Sequence, residues 1–109
     1  FTYRLHQNSI YFLDHSPGNT LIKREGDAYC FYLIDLNRMQ FKSISPLAGL
    51  RNFYRLNADD EMIDIMADEY ARLTGGDCRE MSVLLKKWTH EHDANVLRRK
   101  QKKIARRRR

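Results

Sequence analysis

Asp14-His15-Ser16-Pro17-Gly18-Asn19 is the stretch on which the fold turns. It follows the apolar residues 10–13 and precedes a run, 20–23, that reads as a strand. Ser-Pro-Gly punctuates a chain strongly, so 14–19 reads as a loop. Glu25-Gly26-Asp27 supplies turn residues, and 29–34 is a second strand rich in aromatic and branched side chains. The two runs predict a β-hairpin with a loop of three to five residues. The second strand ends in Asp35, sixteen residues after Asn19. A hairpin returns its two ends to the same place, so Asn19 and Asp35 are expected to meet, with Asp14 nearby.

Working outward, residues 1–9 read as the end of a helix with Phe1, Leu5 and Tyr3 facing inward. Beyond the hairpin the chain is helical. Ser45 is a good N-cap and Pro46 suits the first helical position, where its missing N–H costs nothing. Leu47, Leu50 and Tyr54 then share a face. Asn57 is placed as the cap of the next helix, with Asp59, Asp60 and Glu61 in its first turn, where the helix dipole favours negative charge. Met62, Met66, Tyr70 and Leu73 form the expected buried stripe at spacings of four, four and three. Gly75 and Gly76 end that helix. Asp77 and Glu80 have capping-box spacing, and Met81, Leu84, Leu85 and Trp88 make the apolar face of the last helix. The expected class is α+β, mostly helical, with one hairpin carrying the loops of interest.

The chain has 109 residues and a formal charge of +6, unevenly placed. Residues 98–109 hold nine basic groups, which leaves eleven basic against fourteen acidic residues elsewhere, a net of −3. Such asymmetry marks an interaction tail, so 1–97 is read as the folded unit and 98–109 as a basic tail that either extends the last helix or frays. Cys30 and Cys78 are far apart and lie in no CxxC pair, which reads as two free thiols in a reducing compartment. No apolar run approaches the roughly 20 residues that cross a bilayer. His15 is read as a solvated or hydrogen-bonded loop residue. His6 has no evident partner, and His90 and His92, two apart, do not share a helical face.

Phosphoryl transfer from ATP needs a carboxylate for the acceptor hydroxyl and hard oxygen ligands for Mg²⁺. The spacing Asp14-x-x-x-x-Asn19, followed by a strand that ends in Asp35, has that make-up. The run LDHSPGNTLIK resembles the catalytic loop of the antibiotic and lipopolysaccharide kinases. FYLIDLNRMQF resembles the second metal motif of the Kdo/heptose lipopolysaccharide kinase (WaaP-like) family, with Arg38 in the place of that family's arginine. The resemblance covers residues 1–45 and implies a protein-kinase-like C-terminal lobe. It implies Asp14 as catalytic base, and Asn19 and Asp35 as the ligands of Mg²⁺ and, through it, of ATP. Two positions depart from the pattern: Phe12 stands where the family has His, and Asn37 where it has Gly. Neither is a ligand. Ser16 stands where protein kinases carry Lys, which argues against a protein substrate.

The resemblance implies an acceptor sugar of the lipopolysaccharide inner core, or a lipid A precursor, in a cytoplasmic enzyme placed at the inner face of the bacterial inner membrane. The Gly-rich loop, the strand Lys and the helix Glu of kinase folds belong to an N-terminal lobe that would precede Phe1. The chain as written is therefore expected to bind nucleotide weakly and turn nothing over. The alternatives are another small-molecule kinase, acting on an aminoglycoside or choline-like alcohol, and a non-catalytic pseudokinase-like module. The basic tail admits three readings, an anionic membrane surface, a solvated end or nucleic acid, and the same resemblance favours them in that order.

Overall fold

A computed structural model describes residues 1–34 and 39–108. The order is α1 (Thr2–Gln7), β1 (Ile10–Phe12), a 3₁₀ turn (Pro17–Asn19), β2 (Thr20–Glu25), β3 (Ala28–Leu33), β4 (Met39–Phe41), α2 (Pro46–Arg51), α3 (Asp60–Thr74) and α4 (Cys78–Arg107). The fold is mixed α+β with two small antiparallel sheets, β2–β3 and β1–β4. The first is the expected hairpin. Glu25 pairs with Ala28, so the connection is two residues, Gly26-Asp27, shorter than the expected three to five. Gly26 has φ 63°. Two-residue hairpin turns need a positive φ to match the strand twist, and glycine supplies it without strain. The second sheet, pairing Tyr11 with Gln40, was not expected. Its strands have three residues each, too few to show an alternation.

The helix termini follow local chemistry. Ser45 accepts from the Ala48 amide at 3.3 Å, and Asp77 from that of Glu80 at 2.8 Å. Gly75 takes φ 74° at the end of α3, and the Gly76 amide returns to the Ala71 carbonyl at 3.0 Å. The expected cap at Asn57 is instead Asp59, whose carboxylate accepts from Met62 N at 2.9 Å. Asn57 turns the chain with φ 56°, a conformation asparagine tolerates better than most residues.

The core lies between α2, α3 and α4, on Leu50, Ile63, Ala67, Tyr70, Ala71, Met81 and Leu85. The buried stripe of α3 is therefore Ile63, Ala67, Tyr70 and Ala71, not the expected Met62, Met66, Tyr70 and Leu73. Of the expected four only Tyr70 is buried. Met62 is exposed, Leu73 is at the margin of exposure, and Met66 packs partly buried against the cluster. Ala67 and Ala71 explain the rotation. Small side chains let α4 approach closely, whereas the larger ones turn toward an open cavity beneath the hairpin. In α1 the expected inward residues are likewise displaced. Thr2 and His6 are buried, Tyr3 and Leu5 are half-buried, and Phe1 is exposed, stacked on Phe31 at 5.1 Å.

At about 1.5 Å per residue, the 30 residues of α4 make a rod of roughly 45 Å. The molecule is accordingly long, 51 × 31 × 30 Å. Among the described residues no helix is long and apolar enough to cross a membrane.

Candidate active-site loop

Strand β1 delivers the chain into the loop, and the loop is held from both sides. The Asn52 side-chain amide donates to the Phe12 carbonyl at 2.8 Å. Within the loop, Ser16 Oγ and Asn19 Nδ2 both donate to the Asp14 carbonyl at 3.2 Å. The Asn19 amide closes the 3₁₀ turn on the Ser16 carbonyl at 3.0 Å. One further bond ties the loop to the hairpin: the Ile34 amide donates to the Asn19 carbonyl at 3.0 Å. The end of β3 thus lies beside Asn19. Asp35, the third site residue expected from sequence, lies outside the described residues, as does Arg38.

The Asn19 side chain lies against the backbone carbonyl of Asp14. The side-chain nitrogen of Asn19 is engaged by Asp14, and Oδ1 is its remaining acceptor, a hard oxygen of the kind Mg²⁺ takes. The Asp14 carboxylate is only 16% exposed and is paired with Arg55 through Oδ1 and Nη1 at 3.3 Å. Arg55 carried no signal in the sequence, because the pair spans 41 positions and forms only when the segment after α2 folds back over the loop.

Beneath the loop lies a buried polar chain that sequence reasoning missed. Asn52 Oδ1 can only accept, so His6 donates to it from Nε2, at 2.9 Å. A neutral imidazole then accepts at Nδ1, which makes the Tyr70 hydroxyl the donor there, at 2.8 Å. The chain runs from Tyr70 through His6 and Asn52 to the Phe12 carbonyl, with each donor pointing one way. Burial holds the His6 imidazole below its usual value, against the opposing effect of the Asn52 bond, and pushes the Tyr70 phenol up to about 12. Both shifts favour the neutral forms this direction of bonding needs. His6, expected to lack a partner, therefore has two.

Of the two states expected for His15, solvated or hydrogen-bonded in the loop, the structure shows the second: it is 4% exposed. Its Nε2 meets Thr2 Oγ1 at 3.1 Å and its Nδ1 meets Thr20 Oγ1 at 3.0 Å. Threonine hydroxyls donate or accept, so either neutral tautomer is satisfied. Burial, then the proximity of His6, lowers the imidazole to about 4. It pins the loop to α1 on one side and β2 on the other. His90 pairs with Asp60 at 2.8 Å, and His92 meets the Tyr54 ring edge-on. Among the described residues no three His, Cys, Asp or Glu side chains converge as a metal cluster.

Comparison with family models, curated proteins and solved structures found no match to this chain.

Proposed function

We propose that this chain is the catalytic-loop lobe of a kinase-fold phosphotransferase that moves a phosphoryl group from ATP to a sugar hydroxyl of the lipopolysaccharide inner core, of the Kdo/heptose kinase type. The observation that carries the reading is the bonding of Asn19. Its side chain bridges back to the Asp14 carbonyl, and its own carbonyl receives the Ile34 amide, one residue before Asp35 in sequence. A base and a metal ligand separated by four residues, next to the end of a strand followed by a second carboxylate, is the arrangement this chemistry uses. In this reading Asp14 orients the acceptor hydroxyl and accepts its proton. Asn19 and Asp35 hold Mg²⁺, which neutralises charge on the ATP phosphates. The buried chain from Tyr70 to Phe12 fixes the strand from which Asp14 emerges.

The test follows the metal, not turnover. Trace Mn²⁺ with ATP added to ¹⁵N-labelled protein is expected to broaden the amide signals of Asn19 and Ile34 first. The effect is expected to vanish in Asp35→Asn, and in Asn19→Ala. Broadening centred elsewhere, and indifferent to both substitutions, would overturn the assignment. A second reading, a non-catalytic module of the same fold, has one observation in its favour: the Asp14 carboxylate is paired with Arg55. It predicts no nucleotide-dependent broadening at Asn19 at all.

A further inference from the structure

Helix α4 changes character along its length. Met81, Leu85 and Thr89 are buried against the body, and Trp88, His92 and Val96 are half-buried. From Leu97 to Arg108 every residue is exposed. At 100° per residue the exposed segment has two faces. Leu97 and Ile104, seven apart, lie on one stripe with Gln101 between them, flanked by Ala94 and Ala105. They are 56% and 52% exposed. The body-facing residues of the first half point the other way, so this stripe faces away from the body.

The remaining arc of the segment carries Arg98, Arg99, Lys100, Lys102, Lys103, Arg106 and Arg107. The last acidic residue in the chain is Asp93. Arg98, Lys102 and Arg106 follow one another at spacings of four, as do Arg99, Lys103 and Arg107, so like charges stack along the rod and repel. A helix with a narrow apolar stripe, a wide cationic arc and no internal counter-charge fits a surface that is anionic outside and apolar just beneath.

We propose that residues 97–108 are an interfacial helix that docks the protein on an anionic lipid bilayer. Leu97 and Ile104 enter the boundary between headgroups and acyl chains, and the lysines and arginines on either side engage lipid phosphates. The inference is independent of the phosphotransfer reading. Phosphate contact alone would also suit nucleic acid, but an outward Leu–Ile stripe adds nothing to that contact and adds directly to bilayer binding.

The experiment is co-sedimentation of the full 109-residue chain with vesicles of phosphatidylcholine, with and without about 30 mol% phosphatidylglycerol. Binding is expected only to the anionic vesicles, and weaker at high salt. Replacing Lys102, Lys103 and Arg106 by Gln is expected to weaken it about 100-fold, at about 1 kcal/mol per charge. Leu97→Gln with Ile104→Gln, which keeps every charge, is expected to weaken it about 10-fold or more. All these positions are exposed, so the body stays folded, and circular dichroism of each variant checks that. The proposal is overturned if neutral and anionic vesicles bind alike, or if the Gln-for-apolar variant binds like the parent. It is also overturned if a short DNA duplex competes the parent off anionic vesicles at equal phosphate concentration.

Discussion

His15 shows what a single side chain does here. Its imidazole is enclosed between Thr2 and Thr20, and burial lowers it to about 4 from the ordinary 6.5. In the unfolded chain it takes up a proton near pH 6.5, while in the folded chain it stays neutral until about pH 4. The unfolded state therefore binds more protons in that window, and stability rises with pH across it. Its contribution is fully present above about pH 6.5 and is lost as pH falls toward 4. Integrated over the window from about pH 7.5 to about pH 5, this one group predicts a loss of roughly 2 kcal/mol. Urea midpoints at the two pH values measure it. His15→Gln, which keeps a donor and an acceptor but cannot titrate, is expected to shrink the difference. An unchanged difference would place the pH dependence elsewhere, His6 being the next group whose burial acts in the same direction.

Among the elements, α2 is the one that locks the loop to the helical core. It is capped by Asn52, which holds the Phe12 carbonyl, and it passes so close to α1 and α3 that Gly49 has no room for a side chain. A Cβ there would stand 2.8 Å from His6 Nδ1 and 2.9 Å from Tyr70 Cζ. In an exposed helix Gly→Ala gains about 1 kcal/mol. Here Gly49→Ala is expected to lose 2 to 3 kcal/mol, about the strain of forcing an extra carbon into a packed core. The same variant is expected to lose the hydrogen-bonded Tyr70 hydroxyl proton signal, because that proton is donated to His6 Nδ1 and the His6–Tyr70 pair has to part. A destabilised variant that keeps this signal would show the strain relieved elsewhere.

As a whole, the molecule is a helical body with a cationic rod attached. Its radius of gyration is 15.7 Å, against roughly 13 Å for a compact chain of this length, and the excess follows from the outer half of α4. A chain ending at Leu97 changes the formal charge from +6 to −3. It is expected to unfold within about 0.5 kcal/mol of the full chain, since the removed residues are exposed. Chemical denaturation of the two chains side by side checks this. A larger loss would mean that the rod braces the body and is not simply carried by it.

The sequence by itself determined what depends on near neighbours. Ser45, Asp77 and the Gly75-Gly76 stop each act within a few residues, and so do the hairpin and the turn that draws Asn19 back to Asp14. The tail's charge was also plain, because it needs no folding to exist. What only the tertiary structure decided are contacts across long separations. Arg55 reaches Asp14 over 41 positions, Tyr70 reaches His6 over 64, and Asn52 reaches Phe12 over 40. The face of α3 belongs with these. Its periodicity allowed two neighbouring stripes, and the choice fell to Ala67 and Ala71 because a second helix had to come close. Local hydrogen bonding is written residue by residue, whereas packing is settled by which surfaces fit once all of them are present.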